Sequence, residues 1–138
     1  MQAMQKPICI LADLPMPPSD NSLYLNIRGR GRVKAPSYRV YESEMNAWLY
    51  SNLELVRGFR VSVKAAKKLG IQLHCYFPES KIFCKDGRVK RLDVQNRGKA
   101  VIDLIFKMLE SDDSKLFAVY FEKRVDSRAY INAELFLF

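Results

Sequence analysis

A chain of 138 residues is the size of one domain, and its formal net charge of +8 points to a polyanionic partner, nucleic acid ahead of an anionic membrane surface. Hydrophobic residues at 49% and charged residues at 28% support a buried core and argue against disorder. No apolar run approaches the ~18 residues of a transmembrane helix, no signal-peptide core opens the chain, and Cys9, Cys75 and Cys84 form no CxxC pair, so reduced thiols and a cytoplasmic location are expected.

Residues 1–7 read as a flexible tail on a single domain spanning 1–138. Ile8 to Leu14 is a short run of strand formers. It ends at Leu14-Pro15-Met16-Pro17-Pro18-Ser19-Asp20-Asn21, where the prolines forbid helix and stop strand pairing. Ser22 to Ile27 reads as a second strand, with Leu23, Leu25 and Ile27 alternating against Tyr24 and Asn26. In the segment that follows, Arg28, Arg30, Arg32 and Lys34 lie two apart, so on an extended chain they share one face.

Pro36-Ser37 opens a helix to about Leu55 or Val56, with Tyr41, Met45, Trp48, Leu49 and Leu53 at helical spacing and Arg57-Gly58 ending it. Gly58 to Gly70 carries Arg60, Lys64, Lys67 and Lys68 and reads as a loop or a short basic helical turn. Ile71 to Phe77 alternates as a half-buried strand, and Asp86-Gly87 marks a hairpin within the basic stretch Lys81 to Arg91. Val94 to Leu109 is the second helix, carrying the polar stripe Gln95, Lys99, Asp103 and Lys107; Ser111 to Ser114 is a loop. Leu116 to Val125 and Tyr130 to Phe138 read as a closing hairpin around Asp126-Ser127-Arg128. The order implies an α+β two-layer domain with a mixed or antiparallel sheet and two main helices.

Asp93, Gln95, Lys99 and Asp113 are the residues with the most chemistry in them. Gln95 and Lys99 fall one turn apart on a helix, Asp93 sits at its entrance, and Asp113 lies past its exit and must fold back or reach a partner subunit. Carboxylates beside a cationic strip suit a Mg²⁺ site that works on a phosphodiester, with the lysine on the phosphate. The competing reading is structural: Asp93 as an N-cap, Lys99 paired with Asp103, and Asp112-Asp113 as a polar turn. The basic segments Arg28 to Lys34, Arg57 to Lys68 and Lys81 to Arg91 are candidate phosphate contacts, above all Arg28, Arg30, Arg32, Lys34, Lys85, Arg88, Lys90 and Arg91. Tyr24, Tyr38 and Tyr41 either stack on bases or belong to the core. His74 has no Cys or His at ligand spacing, which leaves zinc without support; the absence of a glycine-rich phosphate loop does the same for a nucleotide cofactor.

Taken in order, Leu14-Pro-Met-Pro-Pro-Ser-Asp-Asn, Arg28-Gly-Arg, Asp93-x-x-Asn96-x-x-Lys99-x-x-x-Asp103 and Asp112-Asp113 resemble the RusA family of Holliday junction resolvases, from about Ile8 to the C-terminus. The resemblance implies a homodimeric, Mg²⁺-dependent endonuclease that nicks two opposed strands of a four-way DNA junction, one per subunit. It matches Asp93 to the first metal-binding carboxylate, Asn96 to a supporting amide, Lys99 to the assisting lysine and Asp113 to the downstream carboxylate, with Asp112 beside it. It makes the Pro-rich segment a rigid connector. The chain departs from the family at Gln95, where a neutral carbonyl oxygen stands in place of a carboxylate. Such a site loses a negative charge and Mg²⁺ affinity. Three outcomes follow from that departure: an inactive junction binder, a slow enzyme with Glu110, Asp112 or the other subunit supplying charge, or an engineered trap. A non-catalytic DNA-binding dimer of the same fold and a basic scaffold for RNA or an acidic protein are the alternative functions.

Overall fold

The fold is described from a computed structural model over residues 6–90 and 97–138. In chain order the elements are β1 (Cys9–Leu14), α1 (Asp20–Leu23), β2 (Tyr24–Ile27), β3 (Gly31–Lys34), α2 (Pro36–Ser51), α3 (Leu53–Ala65), β4 (Leu69–Phe77), α4 (Glu79–Ile82), α5 (Gly98–Met108), β5 (Leu116–Val125) and β6 (Tyr130–Leu137). A 3-10 turn, Asp113–Lys115, leads into β5. The expected α+β class with a mixed sheet holds.

The four-stranded sheet runs β1-β6-β4-β5. β4 pairs antiparallel with β6 and parallel with β5, and β1 closes the far edge against β6. On β4, Ile71, Leu73, Cys75 and Phe77 are buried while Gln72, His74 and Tyr76 are half-buried, as their alternation predicts. The expected β5–β6 hairpin is corrected here. Both strands occupy the expected residues, yet they flank β4 instead of pairing. β4 has two rows of backbone donors and acceptors to satisfy and a fully apolar core side, so it takes a neighbour on each edge. The turn 126–129 passes over the end of β4, where the Asp126 N–H donates to the Phe77 carbonyl at 3.0 Å. A parallel pair needs a crossover, and α5 is the main helix of the one that joins β4 to β5.

Among the described residues three main helices, α2, α3 and α5, stand where two were expected. The predicted stop at Arg57-Gly58 does not occur. The break comes earlier, at Asn52, whose side-chain amide donates to the Trp48 carbonyl at 2.8 Å and closes α2. α3 then continues through Gly58 because Val56 and Val63, two turns apart, are both buried and Phe59 packs against the same core. That burial outweighs the ~1 kcal/mol cost of a helical glycine.

The Pro-rich connector is tied to the helices through its carbonyls. Its prolines have no N–H, so the segment can be held mainly through its carbonyls. Tyr41 Oη donates to the Pro15 carbonyl at 2.9 Å and the Arg97 guanidinium to the Pro17 carbonyl at 2.7 Å. Just upstream, the Trp48 indole donates to the Ala12 carbonyl at 2.9 Å.

Ser22 to Ile27 divides into the end of α1 and strand β2, which pairs with β3 as a separate two-stranded sheet. Gly29 and Gly31 take left-handed φ values of 83° and 72°, which turn the chain at Arg28–Arg30. Arg28 and Arg30 therefore sit in the turn, and only Arg32 and Lys34 share a strand face as predicted. The cysteines are free thiols: burial pushes Cys9 up to about 12 and Cys75 up to about 11, which keeps both unreactive.

Candidate active site

Helix α5 enters the fold under tight steric control. A side chain at Gly98 would put its Cβ 2.5 Å from the Phe121 ring of β5, so only glycine lets the helix start this close to the sheet. Preceding it, Arg97 is tied to the Pro-rich connector and lies 5.6 Å from the Phe77 ring centroid. The buried face of α5 is Val101, Leu104, Ile105 and Met108. Lys99, Asp103 and Lys107 follow one another at four-residue steps along the other side, and Lys107 is taken up by Glu42 of α2 at 3.3 Å.

The far end of α5 closes in a Schellman motif that has a glutamate in place of the usual glycine at its left-handed position. The Ser111 N–H reaches back to the Phe106 carbonyl at 3.1 Å and the Glu110 N–H to the Lys107 carbonyl at 3.2 Å, with Glu110 left-handed at φ 53°. Arg60 of α3 reinforces the cap by donating to the Met108 carbonyl at 2.8 Å and lying 3.7 Å from the Glu110 carboxylate. This reversal sends the chain back along α5 and delivers Asp112 and Asp113. Asp112 accepts from the Ser114 N–H at 2.8 Å, a capping bond that holds its carboxyl below the usual carboxylate range. Lys115 anchors the turn by donating to the Val63 and Lys64 carbonyls at 3.3 and 3.2 Å.

Asp113 folds back within its own chain. It reaches the electrostatic neighbourhood of Asp103, and both line one open depression with Glu110, Asp112 and Lys107. Burial raises the Asp103 carboxyl above the ordinary carboxylate range; Lys99 lowers it, Asp113 raises it and Lys34 lowers it. Asp103 thus joins two carboxylates, the motif lysine and the basic hairpin in one place. In the sequence Asp103 stands out only as a step of the polar stripe and as the pairing partner of Lys99. Its four-residue step from Lys99 was the available signal.

Of the other expected site residues, Arg91, Asp93, Gln95 and Asn96 lie outside the described residues. Arg28, Arg30 and Lys85 are exposed. Arg32 and Lys34 lie over the rings of Tyr24 and Tyr38, each 4.4 Å from the centroid. Tyr38 and Tyr41 are core residues and Tyr24 is half-buried. The Lys81 to Arg91 stretch does turn at Asp86-Gly87, with a Phe83–Val89 bridge, but part of its charge is used locally. Arg88 pairs with Asp86 at 2.6 Å, and the Lys90 ammonium donates to the Ser80 carbonyl at 2.7 Å.

Residues 15–134 match the sequence model of the endodeoxyribonuclease RusA family. The chain belongs to the RusA family. None of the curated proteins compared with it matches. The matched span begins in the Pro-rich connector and contains the basic hairpin, α5 and the Asp112-Asp113 turn, so the resemblance read from the motifs holds for the chain as a whole. RusA proteins are endodeoxyribonucleases of the Holliday junction resolvase class, which makes this a nuclease-family chain whose family substrate is branched DNA. No described helix is long and apolar enough to cross a membrane.

RusA nucleases typically use Mg²⁺. Among the described residues, no group of three or more His, Cys, Asp or Glu side chains is placed to hold a metal ion. Asp103 and Asp113, which line one depression, offer the carboxylate oxygens that a hard cation takes.

Proposed function

We propose that this chain is a Mg²⁺-dependent endonuclease that resolves four-way DNA junctions by paired nicks in a homodimer, weakened by Gln95. The single observation behind this reading is that Asp103 and Asp113, from either side of the α5 cap, line one depression, with Lys99 and Lys34 within electrostatic reach of Asp103. Surface charges that only solubilise a protein have no need to gather like carboxylates around cations in a built depression.

In this reading Asp93 and Asp113 hold the metal, with Asp103 close by and Gln95 ligating weakly or not at all. Bound there, Mg²⁺ supplies Lewis-acid stabilisation of a phosphate oxygen and a more acidic water. The chain's own groups do the rest. Lys99 places its ammonium against the phosphate, where charge accumulates as the phosphorus becomes five-coordinate. Asn96 and Asp112 support the carboxylates. Arg28, Arg30, Arg32 and Lys34, with Lys85, Arg88, Lys90 and Arg91, bind backbone phosphates and orient the junction arms. A two-fold dimer presents two equivalent sites to a pseudo-symmetric junction.

Gln95 favours a second reading, a junction binder that no longer cuts. One experiment separates them: a labelled mobile four-way junction with Mg²⁺, beside linear duplex and the Gln95→Asp chain. Symmetric nicking by the parent chain supports the resolvase. Binding without cutting, restored by Gln95→Asp, supports the disarmed binder. Equal affinity for junction, duplex and single strand would refute both.

A further inference from the structure

The Lys99 side chain is exposed, yet its ammonium lies against an aromatic ring. It lies 5.4 Å from the ring centroid of Tyr24 on β2. The same ring carries the Arg32 guanidinium at 4.4 Å and tilts against the Tyr38 ring at 5.7 Å, and Tyr38 in turn carries Lys34 at 4.4 Å. Two buried or half-buried rings therefore gather three cations, of which Lys99 and Lys34 act on the Asp103 carboxylate.

A lysine stem has four rotatable bonds, so a free ammonium at this position samples many places. Asp103 alone is a poor way to fix it. A carboxylate takes a directed N–H bond and cancels the charge that the phosphate needs. An aromatic face attracts the cation through its quadrupole, occupies no directed N–H and leaves the positive charge intact. We propose that Tyr24 is the positioning residue for Lys99, holding the ammonium at the phosphate's place, and that through Arg32 it also fixes the basic hairpin against the site. This inference rests on the assignment of Lys99 to the phosphate.

The test replaces residue 24 in the full chain by phenylalanine and then by mono-, di- and trifluorinated phenylalanine. Fluorine withdraws the ring's negative face and barely changes its volume. Single-turnover cleavage of a four-way junction with Mg²⁺, in the Gln95→Asp chain if the parent is slow, should fall stepwise from phenylalanine to the trifluoro ring, by about tenfold in all. Junction affinity should fall by less than the cleavage rate, since Arg32, the other cation on this ring, is one of several phosphate contacts. A flat series overturns the proposal. Lys99→Ala is run alongside: normal cutting by that variant means the role given to Lys99 is wrong, whereas loss of cutting with a flat series condemns Tyr24 alone. If no chain cuts, proton NMR of the Lys99 ε-methylene decides. Its ring-current shift should vanish in Tyr24→Leu, and an unmoved resonance overturns the contact itself.

Discussion

Strand β4 has a neighbour on each edge and helices over its core face; the β2–β3 hairpin has only itself. Leu73 on β4 is fully buried, while Leu25 and Ile27 on β2 are 48% and 39% exposed. A two-stranded hairpin of this size is marginal by itself. The Ala35 N–H on the Leu23 carbonyl at 2.7 Å closes its base, and it is held to the body through buried Leu23 and the Tyr24–Tyr38 aromatic pair. The contrast separates two tasks. The sheet carries α5 and the Asp113 turn, and the hairpin presents exposed positive charge.

The sharpest way to break this comparison is a matched pair of truncations. Leu73→Ala should cost about 2–5 kcal/mol in urea melts, and Leu25→Ala under about 0.5 kcal/mol; similar losses would mean the hairpin is part of the folding core. Next comes the join between sheet and site. Gly98→Ala forces the Phe121 ring aside and should destabilise by about 1–3 kcal/mol, with partial recovery in Gly98→Ala/Phe121→Leu. An unchanged melting curve for the single variant would show that α5 does not depend on that close approach. On the hairpin, Arg28→Ala/Arg30→Ala should leave melting unchanged, weaken junction binding and lower the salt slope by about two if each arginine neutralises one phosphate. A salt dependence equal to the parent's would remove the turn from the DNA surface. The smallest effect is expected at Gly58, whose added Cβ meets nothing within 4 Å. Gly58→Ala should stabilise by about 1 kcal/mol, and a loss would contradict a continuous α3.

Much of the local structure was legible because burial writes a period into the sequence. Ile71, Leu73, Cys75 and Phe77 alternate with polar residues, and the strand they predict is the strand that forms. The extents of β5 and β6 were legible for the same reason, but their pairing was not. A short turn between two apolar runs looks the same whether the runs pair with each other or straddle a third strand, and β4 lies some forty residues upstream of β5 in the chain. Gly58 misled because its helix cost is local and small, while the burial of Val56 and Val63 that overrides it is tertiary.

The candidate site divides along the same line. Residue types and spacing alone determined the charge excess, the lysine one turn into the helix and the acidic pair, because those are properties of the covalent chain, and the resemblance to the family marked Gln95 as standing where a carboxylate is expected. Only the tertiary structure decided that Asp113 turns back beside Asp103, that Arg60 caps α5, that Arg97 grips the Pro17 carbonyl and that Tyr24 lies under Lys99. Each of these joins residues from separate elements. Such contacts are chosen by which backbone groups and apolar faces remain to be satisfied once the sheet has formed, and no local pattern records that choice.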